Sequence, residues 1–249
     1  MTRRASLLEL GTVSYEPVHA LQRNLVRWRQ QELIGDVLLL LEHEPVITLG
    51  RRADEGNVLV SQDVLQREGI EVQRIERGGD VTYHGPGQLV GYPIIDMHRY
   101  CLGASDYMHR LEAVIRDALA DFGLETGLRE KMIGVWVGEN KIAALGVRIK
   151  RGVTFHGFAL NVAPDMAHWS LIIPCGITDG GVTSLARELD EVPSMAEVRQ
   201  QVAKHFAERF GVDLVPTTLQ GIEERASRAG TMAIRRSRKR EAGTCPGKP

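Results

Sequence analysis

Cys175 and three possible partners define the chemistry available to this sequence. Cys175 lies in Ile173-Pro174-Cys175-Gly176-Ile177, and of the three cysteines it alone sits in a glycine- and proline-rich loop inside the folded part of the chain. Fixed turns of this kind hold a nucleophilic sulfur toward a cleft. Cys101 borders a long helix and reads as a small packing residue, and Cys245 falls in the tail. A thiol attacks as thiolate, so it needs a base or a cation beside it. The candidates are His84, His156 and Lys141. Lys141 opens a strand on which Ala143, Leu145, Val147 and Ile149 share its face by the period of two, at the edge of an apolar surface where desolvation disfavours an ammonium. A turn-flanking lysine pointing into water fits the same spacing. Either histidine could pair with the thiol or serve as a hydrogen-bonded pocket residue. No H-E-x-x-H or other ligand spacing suggests a metal.

The second chemical stretch runs from Arg77 to Gln88 as RGGDVTYHGPGQ. Its four glycines and one proline in twelve residues are too many for a helix or a central strand, so it reads as a loop. Arg77, Asp80, Thr82, Tyr83 and His84 stand among glycines that let a ligand approach the backbone, although a tight surface turn has the same composition. No Gly-Lys-Ser/Thr follows and the spacing is not G-x-G-x-x-G, so nothing supports a nucleotide.

The elements that must position these residues are mixed. A strand over 6–15, a helix over 17–34, strands over 36–41 and 46–49, a polar and mobile 50–57, a short helix over 62–68 and a strand over 70–75 lead to the loop. A buried strand over 88–95 follows. The helix over 105–122 carries one apolar stripe, with Ser105 to cap it and Gly123 to end it. Strands over 133–137, 141–149 and 153–162, joined by short turns, form an antiparallel meander. After an irregular stretch over 163–182, Ser194 and Glu197 make a capping box for a helix over 195–210, and a short strand over 213–215 and a weak helix over 219–229 complete the fold. Helices and strands that do not alternate strictly argue for one α+β domain over 1–220. Residues 221–249, basic and without apolar pattern after 229, read as a largely disordered extension.

The net charge of −1 gives no bulk attraction to nucleic acid. Three scattered cysteines argue against a disulfide framework or a structural zinc, and the longest apolar run, 37–41, is strand-sized. A reduced, cytoplasmic setting without export signal or membrane span is expected.

Arg77-Gly78-Gly79 through Thr82, His84, Gln88 and Tyr92, together with Lys141 in GENKIAALG and Cys175 in PCGI followed by Val182-Thr183-Ser184-Leu185, carries a resemblance. The chain resembles the lipoyl(octanoyl) transferases over roughly residues 5–215. The resemblance implies the α+β fold shared with biotin and lipoate protein ligases, with mixed and antiparallel sheet and packed helices. It implies an acyltransferase in which Cys175, activated by Lys141, takes an octanoyl group from octanoyl-acyl carrier protein as a thioester. The group then passes to a lysine of a lipoyl domain, in the 2-oxoacid dehydrogenase complexes or the glycine cleavage H protein. It implies an acyl site lined by Arg77, Gly78, Gly79, Asp80, Val81, Thr82, Tyr83, His84, Ala144, Leu145, Gly146, Gly157, Phe158 and Ala159, with no cofactor and no metal. The rival readings are an ATP-using lipoate or biotin ligase, a hydrolase built on Cys175 and His156, and a non-catalytic binder of lipoyl domains.

Overall fold

The computed structural model describes residues 3–130, 132–174 and 180–242. Strand β1 (Arg3–Val13) leads into helix α1 (Tyr15–Gln30), then β2 (Asp36–His43) and β3 (Val46–Leu49). Helix α2 (Gln62–Arg67) precedes β4 (Glu71–Arg74), β5 (Val81–His84) and β6 (Gln88–Ile94). Helix α3 (Ala104–Ala120) is followed by β7 (Gly127–Arg129), β8 (Met132–Val137), β9 (Asn140–Lys150) and β10 (Val153–Asn161). Then come β11 (Gly181–Val182), α4 (Leu185–Glu188), α5 (Met195–Phe210), β12 (Val212–Pro216) and α6 (Leu219–Ala242).

The large sheet runs β12-β1-β2-β6-β10-β9-β8-β7, with β11 added in parallel to β9. Only its β12-β1-β2 end is otherwise parallel; the meander β8-β9-β10 is antiparallel, as its short turns require. Both faces of the sheet are covered, which is why β2 is continuously apolar from Val37 to Leu41. Leu38 and Leu40 face the stripe of α3, where Leu111, Val114 and Ile115 meet Val202 and Phe206 of α5. Val37, Leu39 and Leu41 face α1, through Val18, Leu25 and Val26. Each such side chain is worth about 1.5–3 kcal/mol on burial. A second sheet, β4-β3-β5, packs its own cluster around Ile47, Val81, Tyr83 and Trp169. This is the mixed α+β architecture expected from the sequence.

Local signals held where short-range chemistry decides. The Ser194 hydroxyl accepts the Glu197 N–H at 3.3 Å, the Glu197 carboxylate accepts the Ser194 N–H at 2.7 Å, and Gly211 ends α5 at φ 61°. Helix α3 is capped two residues earlier than expected, at Gly103, whose N–H donates to the Asp106 carboxylate at 3.2 Å, so Ser105 lies inside the helix. Cys101 is exposed and not a packing residue. The expected 77–88 loop contains a strand: Val81-Thr82-Tyr83-His84 is its glycine-free part and pairs antiparallel with β3. Past 219, where a weak helix and then disorder were expected, the structure has one helix to Ala242, anchored by buried Ile222 and Ala226. Among the described residues no helix is long and apolar enough to cross a membrane.

Since no residue from 227 to 231 is buried, truncation after Ala229 is expected to leave the fold intact. Calorimetry should find the melting temperature within about 2 °C of the full chain, the scale of a surface change in a domain this size.

Candidate active site

A pocket opens between the two sheets. One wall is the stretch from Arg77 to His84, and alternation along β5 splits its side chains. Thr82 and His84 face the pocket, whereas Val81 and Tyr83 point into the second core, where the Tyr83 hydroxyl meets His168 Nδ1 at 2.7 Å. Asp80 does not line this pocket either. Its carboxylate accepts the Asp54 N–H at 3.2 Å and the Asn57 amide at 2.8 Å. The 50–57 segment, expected to be mobile, is thereby tied down, with Arg51 and Arg52 donating to Arg77 and Gly79 carbonyls.

Arg77 is buried, and its guanidinium donates to the Thr48 carbonyl at 2.7 Å and the Gly78 carbonyl at 3.0 Å, which shapes the wall. The opposite wall is the paired strands β9 and β10, through Ala144, Leu145, Gly146, Gly157, Phe158 and Ala159. Gly146 permits the close approach of the two walls, because a Cβ there would stand 2.9 Å from the Gly78 carbonyl oxygen. Ala143, a neighbour on the same strand, lies on the other side in the α3 core. Eleven of the fourteen residues expected to line the acyl site thus surround one pocket, and Asp80, Val81 and Tyr83 do not.

The floor is aromatic and polar: Tyr15, Tyr92 and His156. Tyr15 was not legible from sequence, because it opens a helix with no glycine or loop around it. His43 Nδ1 donates to the Val13 carbonyl at 3.0 Å, leaving Nε2 to accept from the Tyr92 hydroxyl at 2.8 Å. His84 Nδ1 donates to Gln88 Oε1 at 2.7 Å, and the Gln88 amide in turn reaches Asn161 Oδ1 at 2.9 Å. Burial holds these rings neutral, pushing His84 down to about 3, His43 down to about 4 and His156 well below the usual imidazole range. His156 has a strained backbone at φ 55°, and its Nε2 finds no hydrogen-bond partner among the described residues. His19, Glu76 and His156 bring three possible metal ligands within 4.8 Å, a grouping invisible to linear spacing. Arg23 lies 3.4 Å from both Glu76 and the His19 ring, so a guanidinium already holds the carboxylate a cation would need.

Lys141 is buried beneath a β-bulge. The β8–β9 register steps from Trp136 opposite Lys141 to Val135 opposite Ala143, which leaves Ile142 as the extra residue. Strict alternation would group Lys141 with Ala143 and Leu145. The bulge parts it from Ala143: Lys141 lines a smaller cavity shared with Trp169, Pro174 and Val182 as well as an open cleft that it shares with Leu145, while Thr82, Ala144 and Ala159 line both the smaller cavity and the larger pocket. Its ammonium lies 4.8 Å from the centre of the Trp136 ring. Gly134, at φ 145°, makes room for the stem, since a Cβ there would sit 3.0 Å from Lys141 Cε. The Thr183 N–H donates to the Lys141 carbonyl at 3.0 Å, so β11 is fastened at the lysine. Cys175 itself lies outside the described residues; Pro174, bonded to it, is in the Lys141 cavity.

The family model described as the Lipoyl protein ligase A/B catalytic domain matches residues 14–207. An octanoyltransferase of Solibacter usitatus is 47% identical over 214 residues, covering 86% of this chain and 96% of the relative. An octanoyltransferase of Alkaliphilus metalliredigens is 44% identical over 213 residues, covering 85% and 98%. Among solved structures, a bipartite lipoate protein ligase from Thermoplasma acidophilum, studied with its E2 lipoyl domain, superposes with a TM-score of 0.69 at 20% identity, over 91% of each chain. At that identity the likeness is one of fold.

Proposed function

The chain belongs to the octanoyltransferases of the lipoyl protein ligase A/B catalytic family, and we propose that its transfer runs through a Cys175 thioester with Lys141 as the base. Lys141 takes the Cys175 proton, and the thiolate attacks the thioester carbonyl of octanoyl-acyl carrier protein. A new C–S bond forms to Cys175, the bond to the carrier's arm breaks, and the carrier leaves as a thiol with the proton held by Lys141. The ε-amine of a lipoyl-domain lysine then attacks the acyl-enzyme. The C–N bond forms, the C–S bond to Cys175 breaks, and the amine's proton returns to sulfur through Lys141. An amide is more stable than a thioester, so the sequence runs downhill without ATP. The acceptors are lipoyl domains of 2-oxoacid dehydrogenase complexes and the glycine cleavage H protein, and the setting is the cytoplasm.

The observation that carries this reading is the shared cavity. Lys141 and Pro174 line one space, and that space meets the larger pocket at Thr82, Ala144 and Ala159. An acyl group bound to the sulfur would pass between the two alanines into the pocket walled by residues 77–79 and 157–159. A hydrolase built on His156 is disfavoured, because that ring sits on the pocket floor, is held neutral and does not line the Lys141 cavity. The test is incubation with octanoyl-acyl carrier protein in the absence of ATP, followed by intact mass and then by addition of lipoyl domain. An octanoyl adduct that disappears as the lipoyl domain gains the same mass supports the reading. Free octanoate, or dependence on ATP, would replace it with the hydrolase or the ligase.

Ala144 and Ala159 stand opposite each other in the β9–β10 register, so the waist between the cavities is set by two methyl groups. Ala159→Leu is expected to close it. Denying about four methylenes their burial should cost about 3 kcal/mol, roughly a hundredfold in kcat/KM for octanoyl donors. Butanoyl donors should lose less than about fivefold, and equal losses for both chain lengths would remove the waist from the acyl path.

A further inference from the structure

Among the buried residues of α3, Glu112 alone is charged: it stands with Leu111, Val114 and Ile115 and is 3% exposed. Among the described residues its single ion-pair partner is His109, whose Nδ1 lies at 3.0 Å and whose side chain is mostly exposed. A carboxylate held in an apolar layer without a buried cation costs free energy, so its other contact has to explain its place. That contact is the Gly134 N–H, which donates to Glu112 Oε1 at 3.0 Å.

Gly134 needs an acceptor outside the sheet because β8 slips there against both of its neighbours. On one side Trp136 pairs with Gly127 and Met132 with Arg129, so three residues of β8 stand against Leu128 alone. On the other side the register steps at Ile142. Gly134 falls within the first irregularity and beside the second, has a Cα partner in neither ladder, and turns its N–H out to α3. The same residue borders the lysine. A Cβ on Gly134 would stand 3.0 Å from Lys141 Cε and 3.4 Å from Cδ, so one glycine separates the Glu112 carboxylate from the lysine's stem. At φ 145° that glycine has no side chain to fix its peptide plane, which leaves the task to an outside contact. Met108, one helical turn before Glu112 on the same face, lines the open cleft with Lys141, so this face of α3 looks onto the lysine's surroundings.

We infer that Glu112 is a positioning residue for Lys141: its carboxylate fixes the Gly134 peptide, and the fixed peptide holds the lysine's amine at the reacting centre. Without the acceptor, the buried N–H would turn to find another, and the lysine's stem is what it would displace. The assignment rests on the reading of Lys141 as the base.

The test measures single-turnover acylation by intact mass, together with donor KM and melting temperature, on Glu112→Leu, Glu112→Gln, Lys141→Met and the double variant Glu112→Leu/Lys141→Met. Leucine keeps the bulk and removes the acceptor, so acylation should slow by about tenfold or more while the donor KM stays within about twofold. Glutamine keeps an oxygen for the Gly134 N–H and should rescue the rate to within about threefold. Adding Glu112→Leu to Lys141→Met should slow acylation by less than about twofold further, because a residue that acts through the lysine has nothing left to position. A merely structural role would move the melting temperature and none of these three. Should Glu112→Leu fail to fold, Glu112→Asp, whose carboxylate is withdrawn by one methylene, takes its place with an expected slowing of about fivefold. Normal acylation by the folded variant overturns the assignment, and so does a glutamine variant as slow as leucine, or losses that multiply in the double variant. If Lys141→Met itself acylates at the normal rate, the base reading fails first and the positioning role goes with it.

Discussion

Cys175→Ala is expected to abolish the octanoyl adduct and to lower transfer by a factor on the order of 10⁴ or more, the scale on which covalent catalysis collapses when its nucleophile is lost. Cys101→Ala and Cys245→Ala should leave transfer within about twofold, because Cys101 is exposed and lines neither the pocket nor the Lys141 cavity, and Cys245 lies outside both the family match and the described residues. Intact mass after a single turnover reads all three directly. The larger pocket is walled by residues 77–79 and 157–159, so Cys175→Ala should still bind octanoyl donors. An adduct that survives in Cys175→Ala would move the nucleophile elsewhere. Lost donor binding in that variant would mean that the sulfur organises the site and does more than attack.

Lys141→Met is the other large effect. Methionine keeps the bulk of the stem in the space that Gly134 leaves, and it removes the amine, so binding should persist while acylation slows by about 100-fold or more. Lys141→Arg should fail nearly as badly, since a guanidinium cannot give up a proton near neutral pH and the crowded bulge has little room for its plane. If Lys141 and Cys175 exchange a proton, the pH dependence of single-turnover acylation between about pH 6 and pH 9 reports macroscopic constants of the pair, and that profile should vanish in Lys141→Met. His156→Ala tests the alternative base. With its ring neutral on the pocket floor, its loss should weaken donor binding more than it slows acylation. Near-normal acylation by Lys141→Met, coupled with a severe loss in His156→Ala, would exchange their roles.

Sequence alone determined the parts of this protein that local chemistry controls. The apolar stripes of α3 and α5, the capping box at Ser194, the two tight turns of the meander and the apolar run of β2 are short-range patterns, and the chain folds as they say. The residue types of the site could be read in the same way: a loop cysteine, a strand lysine, a glycine-rich stretch with arginine and histidine. Tertiary structure decided which way those residues face. Lys141 joins the Pro174 cavity because a bulge at Ile142 breaks the alternation that would have placed it with Ala143. Val81 and Tyr83 leave the pocket because β5 pairs with β3, more than thirty residues earlier, a partner that no local pattern names. The helix beyond Ala229 was equally unreadable. A periodic pattern says that a face is apolar or charged, but only non-local strand pairing says which faces meet, and in this chain the pocket and its waist both lie where distant segments meet.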